Sequence, residues 1–321
     1  MAFQTPTKKD VMLRLILCDM DLTLVPFGQR TVTPLALQAI HQLLDLGIYV
    51  GASSGRGIPD LRRQFAGDEA CVRTAVASNG CQVMADGQLI CHNPLPREEL
   101  EAALRVVRDV PGAFFTSDID GTRAAIGESA EVVNRRFANW KGARFFVTDH
   151  FPEGDLVKVN LTFDEGLANA HEVVSMIAPL CPSIDFCILD GHVADMMPAG
   201  WDKARGAQAL LDHFGFGPDE LLVFGDSEND LSLFRAFSEG SVAMANAIPE
   251  ARQEARWHIG PCTEDACAKA LLELASAIRE GRDPRWMDAD EDARALERAM
   301  TDPSISAAHL HELWTRPRTT A

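Results

Sequence analysis

Short apolar runs alternate with amphipathic stretches along the N-terminal part of the chain. Each run is almost uniformly apolar, which is typical of a strand buried on both faces of a parallel sheet. Thr33 and Pro34 supply an N-cap and a first-turn proline for the first amphipathic stretch, and Gly47 ends it. Strand, helix, strand, helix, strand is the order of a doubly wound α/β sheet. The predicted strands are 11–18, 48–53 and 74–80, and the second predicted helix is 58–65.

The hydrophobic pattern changes after residue 81 and returns to its first form near residue 198. Apolar runs flank Asp86-Gly87 and again Asp120-Gly121, and both arrangements are hairpin signals. Amphipathic helices are predicted between the hairpins, which favours an inserted α+β domain with an antiparallel sheet. The predicted division is an α/β core of residues 1–81 and 198–282, an inserted domain of 82–197 and a helical C-terminal extension of 283–321.

Composition narrows the class of protein. The 321 residues carry a formal net charge of −17, which disfavours nucleic acid and an anionic membrane surface as partners. No stretch approaches the roughly 20 apolar residues of a membrane helix, and the N-terminal sequence does not resemble a secretion signal. The eight cysteines contain no Cys-x-x-Cys spacing, so neither a zinc site nor a disulfide framework is predicted. We expect a cytoplasmic protein, monomeric or a small homo-oligomer.

Acidic residues follow two of the predicted strands. Ligands of open α/β sheets bind at the carboxyl ends of the strands, where Asp19 and Asp21 follow the first strand and Asp226 follows a late one. Because packed carboxylates repel one another, a bound Mg²⁺ is expected, with Asp19 and Asp226 as direct ligands. Asp230 lies one helical turn beyond Asp226 and is expected to bind through water or to hold the other ligands in place.

The same residues suit phosphoryl transfer. Asp19 is predicted to attack phosphorus and form an aspartyl-phosphate, while Asp21 serves as general acid and then general base. Ser54 and the amide of Gly55 precede a predicted helix and offer an anion site, and Lys203 adds a positive charge. These features predict a Mg²⁺-dependent phosphatase whose partner is a small phosphorylated metabolite.

Four motifs in a fixed order resemble a known family. They are Asp19-Met-Asp21-Leu-Thr23, Ser54-Gly-Arg56, Lys203 and Gly225-Asp226-Ser-Glu-Asn229-Asp230. Together they resemble the haloacid dehalogenase (HAD) superfamily over about 1–280, and Ser-Asn-Gly at 78–80 resembles its Cof-type branch, subclass IIB. The resemblance implies a Rossmann-like core with an α+β cap domain at 82–197. It also implies that the protein is a Mg²⁺-dependent phosphatase that acts on sugar phosphates, nucleotides or phosphorylated cofactors. Leu22 departs from the pattern because a glycine is usual there, and Ser54 stands where threonine is common.

The resemblance further implies roles for individual residues. The implied catalytic residues are Asp19, Asp21 and Lys203. The implied metal ligands are Asp19, the backbone carbonyl of Asp21, Asp226 and Asp230. The residues implied to contact the substrate or its phosphate are Met20, Ser54, Gly55, Arg56, Asn79 and Asn229.

A second Asp-x-Asp segment, Asp118–Thr122, includes the glycine that the first one lacks. Its Asp-Gly pair lies between two apolar runs, and a nucleophile at Asp118 would break the motif order of the family. We therefore predict a hairpin turn of the cap at this segment.

Two other functions remain open at this stage. A sugar phosphomutase of the same superfamily would share the aspartyl-phosphate but return the phosphoryl group to its product. A non-catalytic sensor of phosphorylated ligands would not need its carboxylates, and the presence of the full set disfavours it.

Overall fold

The computed structural model describes residues 13–119, 122–137, 145–164, 169–188 and 192–287. The chain divides into two compact units, one of Met1–Gly51 with Phe216–Ala321 and one of Ala52–Gly215. The strands are β1 (Leu15–Cys18), β2 (Tyr49–Ser53), β3 (Ala75–Ala77), β4 (Gln82–Ala85), β5 (Gln88–His92), β6 (Ala113–Ile119), β7 (Thr122–Ile126), β8 (Phe146–Thr148), β9 (Val159–Phe163), β10 (Ile184–Ile188), β11 (Val193–Pro198), β12 (Leu221–Gly225), β13 (Ser241–Met244) and β14 (Trp257–Ile259). The helices are α1 (Pro34–Asp45), α2 (Ile58–Gln64), α3 (Arg97–Val107), α4 (Ala130–Arg136), α5 (Ala170–Ile177), α6 (Lys203–Phe214), α7 (Leu231–Ala236), α8 (Pro249–Glu254) and α9 (Ala266–Glu280).

Parallel strands form the sheet of the first unit. β1 pairs with β12, β12 with β13 and β13 with β14, all in parallel. The amide of Tyr49 donates to the carbonyl of Arg14 at 2.8 Å, so β2 begins beside the residues that lead into β1. Every residue of β1 and β12 is buried, which accounts for their continuous apolar runs.

Helix α1 begins where the sequence predicts it. The Thr33 hydroxyl accepts the amide of Ala36 at 3.1 Å, and Pro34 occupies the first turn. The apolar face of α1 packs against α9 in the same unit. The Thr33 hydroxyl also donates to Oδ2 of Asp265, which immediately precedes α9, at 2.6 Å. One hydroxyl therefore caps one helix and contacts the start of its neighbour.

The second unit contains two sheet regions. The last residues of β2 pair in parallel with β3, and the β4–β5 hairpin continues from β3 in antiparallel pairing. A separate sheet has the order β10-β11-β9-β6-β7-β8 and is antiparallel except between β7 and β8. Helices α3 and α5 bury apolar residues against this sheet, as Leu104 and Val173 do beside Phe115 and Leu161.

These elements confirm the α/β fold and most of the predicted strands and helices. The β4–β5 hairpin forms around Asp86-Gly87 as predicted, but it extends the sheet of β3, whereas the sequence analysis grouped it with the inserted domain. Strand β8 was missed because a three-residue run is too short to show a period. The division into core, cap and extension remains a prediction.

The segment Asp118–Thr122 belongs to a hairpin, as predicted. β6 and β7 pair in antiparallel register, with Ile119 opposite Thr122. The two turn residues, Asp120 and Gly121, lie outside the described residues. Because the chain reverses here within an antiparallel sheet, this Asp-x-Asp does not follow a parallel strand as the first one does.

The described part of the C-terminal segment ends at residue 287. Trp286 is buried, its indole N–H donates to the carbonyl of Ala270 at 3.3 Å, and its ring meets Phe224 edge-on. Trp286 thus packs on α9 and β12. Among the described residues, no helix combines the length and the apolar character that crossing a membrane requires.

Candidate active site

Three aspartates of the first unit lie close together. One ligand atom from each of Asp19, Asp226 and Asp230 can be chosen so that all three lie within 4.8 Å of one another. All three side chains are buried, with Asp230 fully excluded from solvent. The sequence analysis expected these residues to meet, and the parallel pairing of β1 with β12 explains why they do. Cys18 and Phe224 are register partners, so the next residues of both strands leave the sheet side by side.

Local hydrogen bonds orient these carboxylates. The Asp19 amide donates to the carbonyl of Phe224 at 2.8 Å, and the Thr23 hydroxyl donates to Oδ1 of Asp226 at 2.8 Å. Oδ2 of Asp230 accepts the amides of Asp226 and Ser227 at 3.0 and 3.1 Å. Asp230 therefore supports the loop that carries Asp226.

A glycine is required immediately before Asp226. A Cβ placed on Gly225 would lie 2.4 Å from Cγ of Asp230, far inside van der Waals contact. Glycine at the end of β12 therefore allows the Asp230 carboxylate to approach the backbone of the metal-ligand candidate.

The carboxylate set fits a hard divalent cation. Burying several carboxylates together is unfavourable because desolvation and mutual repulsion both disfavour their charged forms. A cation with oxygen ligands, such as Mg²⁺, offsets both costs. Asp19, Asp226 and Asp230 are the residues that would hold it.

The segment after β1 forms a tight turn. The amides of Thr23 and Val25 both donate to the carbonyl of Met20, and the Leu22 amide donates to the carbonyl of Val25. Leu22 adopts a φ of 62°, in the left-handed region that favours glycine. The chain thus keeps the conformation that the usual glycine of the motif would adopt easily.

Asn246 holds this turn from a second loop. Its Nδ2 donates to the carbonyl of Leu22 at 2.9 Å, and its Oδ1 accepts the amide of Cys262 at 2.8 Å. No role for Asn246 was predicted from the sequence. In the sequence, Asn246 is distinguished only as an asparagine that follows a buried strand. Its partner Leu22 lies more than two hundred residues away in the chain.

Two loops of the second unit are joined by backbone hydrogen bonds. The amide of Asn79 donates to the carbonyl of Ser54 at 3.0 Å, and the amide of Ser78 donates to the carbonyl of Arg56 at 2.8 Å. The Ser54 hydroxyl accepts the amide of Arg56 at 3.2 Å. Ser54, Gly55, Arg56 and Asn79 are therefore brought together within the second unit. We call 54–56 the Ser-Gly-Arg loop.

Lys203 is fully buried at the first position of α6. Asp202 caps that helix by accepting the amide of Arg205 at 2.8 Å. A Cβ on Gly80 would lie 2.1 Å from the carbonyl oxygen of Asp202, so only glycine lets the turn at 78–80 approach the start of α6. The structure thus places Lys203 near this turn, within the second unit.

Asn79 makes a contact that the sequence analysis did not anticipate. Its Nδ2 donates to Oδ2 of Asp195 on β11 at 2.8 Å. Oδ1 of Asp195 accepts Nζ of Lys158 at 2.7 Å and Nδ2 of Asn160. Asp195 is an acidic residue inside an apolar strand, which was the signal that could have singled it out.

The remaining predicted residues are placed as follows. Asp21 is exposed, and Met20 is buried in the turn after β1. Oδ1 of Asn229 accepts the Ser227 hydroxyl at 2.8 Å, in the turn that carries Asp230. The predicted roles of these residues in catalysis and binding remain predictions.

Comparison with known proteins gives consistent matches. The family model described as haloacid dehalogenase-like hydrolase matches residues 16–271. The HMP-PP phosphatase of Cronobacter sakazakii is 25% identical over 265 residues, which cover 81% of this chain and 95% of that protein. A HAD-superfamily phosphatase from Bacteroides thetaiotaomicron has a similar fold, with a TM-score of 0.70, 20% identity and coverage of 84% and 98% of the two chains. A HAD subclass IIB sugar phosphatase gives a TM-score of 0.66 at 19% identity, covering 84% and 99%.

Proposed function

The chain belongs to the haloacid dehalogenase-like hydrolases and is a phosphatase of that family, and we propose that it hydrolyses a small phosphomonoester with Asp19 as the nucleophile. The observation that carries this proposal is the buried cluster of Asp19, Asp226 and Asp230 at the ends of two paired parallel strands. Three buried carboxylates are costly for stability alone, so their clustering is better explained by chemistry that needs them.

The proposed reaction has two steps. Asp19 attacks phosphorus, a bond forms between its carboxylate oxygen and phosphorus, and the bond from phosphorus to the alcohol oxygen breaks. Asp21 donates a proton to the departing alcohol oxygen. In the second step Asp21 takes a proton from water, the resulting oxygen attacks phosphorus, and inorganic phosphate leaves while the Asp19 carboxylate is restored.

We propose roles for three further groups in this reaction. Mg²⁺ held by Asp19, Asp226 and Asp230 would neutralise charge that otherwise opposes attack on an anionic phosphate. Lys203 is proposed to contact the phosphoryl oxygens, because the family resemblance assigns that role to the lysine of this motif. The Ser-Gly-Arg loop is proposed to receive the same phosphate through Ser54 and the amide of Gly55.

The relatives suggest which substrates to test. HMP-PP is the substrate in the name of one relative, and sugar phosphates are the substrates of a structural neighbour. We propose that the substrate is a phosphomonoester of a metabolite of this size.

The test is release of inorganic phosphate from a panel of sugar phosphates, nucleotides and HMP-PP, with Mg²⁺ and with EDTA. We expect release with Mg²⁺ only. Asp19→Asn should lower kcat by at least about 10⁴-fold, because loss of the nucleophile removes the covalent route. The matched control is Asp45→Asn, an exposed aspartate at the end of α1, which should keep wild-type activity.

Two results would contradict the proposal. One is activity of Asp19→Asn near the wild-type level. The other is a product that keeps its phosphate on a different carbon, which would identify a phosphomutase instead.

A further inference from the structure

A hydrogen-bonded group around Asp195 has no role in the proposed reaction. We call it the Asp195 cluster, and its members are Asn79, Lys158, Asn160 and Asp195. The Asp195 carboxylate accepts Nδ2 of Asn79 at 2.8 Å, Nζ of Lys158 at 2.7 Å and Nδ2 of Asn160. Asp195 and Asn160 are also register partners on β11 and β9. Three donors, two from the segment at the start of β9 and one from the turn after β3, thus converge on one buried carboxylate.

The Asp195 cluster lies against the Ser-Gly-Arg loop. A Cβ placed on Gly55 would lie 3.1 Å from Oδ1 of Asn79 and 3.4 Å from Oδ2 of Asp195. The backbone of Asn79 bonds to the carbonyl of Ser54 in the same loop. Burial raises the pKa of the neighbouring Cys81 thiol to about 12, while the charge of Lys158 lowers that pKa and the charge of Asp195 raises it. A phosphate on this loop would therefore have the cluster as a neighbour.

The Asp195 cluster has no net charge and is rich in hydrogen-bond donors. The charges of Lys158 and Asp195 cancel, and the carboxylate is already bonded by three donors. The Asp195 side chain is 4% exposed, whereas that of Lys158 is 20% exposed, so Lys158 is the more accessible member of the pair. An ammonium has three N–H donors, of which Asp195 accepts one.

A purely structural pair does not account well for this arrangement. Buried ion pairs contribute little stability compared with apolar residues of similar size, because desolvation offsets their attraction. Asp195 lies between the core residues Ala194 and Met196 on β11, and Asn160 lies between Val159 and Leu161 on β9, so both side chains point away from that apolar core. A binding role explains why donors are concentrated beside the phosphate-binding loop.

We propose that Lys158, held in place by Asp195, binds hydroxyl groups on the leaving alcohol and makes the enzyme select hydroxylated phosphomonoesters. This inference rests on the proposed function, because it names the residue that binds the alcohol part of the substrate in the same site. A hydroxyl oxygen accepts from the Lys158 ammonium without placing a second negative charge beside Asp195. Because the charges of the pair cancel, a carboxylate or second phosphate would gain no net attraction there, and an alkyl chain would leave the ammonium donors without acceptors.

The test compares two pairs of substrates that differ only in hydroxyl groups: glycerol 3-phosphate with propyl phosphate, and sorbitol 6-phosphate with hexyl phosphate. We expect the wild type to prefer the hydroxylated member of at least one pair in kcat/KM. Lys158→Met should reduce that preference by about 10- to 100-fold, as expected for loss of a hydrogen bond to a charged group. The kcat/KM for the alkyl phosphate should stay unchanged. Lys269→Met, an exposed lysine of α9, is the matched control and should retain the preference.

Lys158→Met leaves the buried Asp195 charge without its ammonium partner, which destabilises the fold. A second variant therefore tests the inference if Lys158→Met unfolds at the assay temperature. The double variant Lys158→Met with Asp195→Asn removes both charges and should show the same loss of preference.

The outcomes separate this inference from the proposed function. Equal losses on the hydroxylated and alkyl members would show that the cluster only stabilises the fold and would overturn the inference. A wild type without preference in either pair would overturn it too, while phosphate release that depends on Asp19 would still uphold the proposed function. No phosphate release from any ester would refute both.

Discussion

At Leu22 the backbone adopts a left-handed conformation, with a φ of 62°, although leucine lacks the conformational freedom of glycine. A side chain in this region costs about 1–2 kcal/mol relative to the right-handed region. Hydrogen bonds on both sides hold it there, from the Leu22 amide to Val25 and from Asn246 to the Leu22 carbonyl. Strain of this kind persists where surrounding contacts determine the backbone, and it is common beside functional residues.

Replacing Leu22 tests whether the turn is strained. We expect Leu22→Gly to be more stable than Leu22→Ala by about 1 kcal/mol in free energy of unfolding, because only alanine keeps the Cβ that disfavours positive φ. Comparing these two variants excludes the contacts that the leucine side chain itself makes. Urea denaturation provides the measurement.

The control is the same pair at Arg105, an exposed position in α3. There glycine should be the less stable variant by about 1 kcal/mol, as in any helix. If alanine were also the more stable variant at position 22, the strain argument would be wrong.

At the scale of elements, Thr33 links α1 to α9. Its hydroxyl oxygen accepts the amide of Ala36 and donates to Asp265, so one side chain satisfies the start of one helix and bonds a carboxylate beside the other. α1 and α9 pack against each other in the first unit, and the sequence predicts Thr33 as the N-cap of α1 but not its bond to Asp265.

We expect Thr33→Ala to lower the free energy of unfolding by about 2 kcal/mol, from the lost N-cap and the lost hydrogen bond to a charged group. Thr33→Ser keeps the hydroxyl and should change stability by less than about 0.5 kcal/mol. Chemical denaturation of both variants checks this. A Thr33→Ser loss as large as that of alanine would mean that the methyl packing, not the hydroxyl, is important.

Element context also decides between the two Asp-x-Asp segments. Asp19 follows a parallel strand whose partner, β12, leads directly to Asp226. Asp118 lies in β6, opposite Arg123 of β7, in an antiparallel hairpin. The glycine at the second segment improves the match in letters, but the segment lies between two antiparallel strands.

At the scale of the whole molecule, the net charge of −17 makes a buried cluster of three carboxylates costly in the absence of a cation. Ligands that bind only the folded state stabilise it by mass action. Mg²⁺ at about 100 times its Kd should therefore stabilise the protein by about 2.7 kcal/mol and raise Tm by roughly 5 °C.

Thermal unfolding with Mg²⁺ and with EDTA measures this effect without any assay of activity. Asp226→Asn should lose the Mg²⁺ shift, and in EDTA its Tm should equal or exceed that of the wild type because one buried charge is gone. Asp45→Asn should keep the wild-type shift. A full Mg²⁺ shift in Asp226→Asn would place the cation elsewhere.

Features that depend on short-range pattern could be predicted from the sequence. Continuous apolar runs indicated buried parallel strands, Thr33-Pro34 marked the start of a helix, and Asp86-Gly87 marked a hairpin, because each of these signals acts within a few residues. The order of the four motifs indicated the family, which the match over residues 16–271 confirms. Asp19, Asp226 and Asp230 were expected to meet, since parallel strands bring their carboxyl ends to one edge.

Which distant side chains contact one another depends on tertiary packing. The bonds from Asn246 to Leu22 and from Asn79 and Lys158 to Asp195 join residues that are far apart in the chain, and no local pattern marks such partners. Asn79 is an example: its position after β3 could be predicted from the sequence, but its side-chain partner Asp195 lies on β11, 116 residues further along the chain. Local periodicity determines which segments form strands and helices, whereas packing determines which polar groups they bring together.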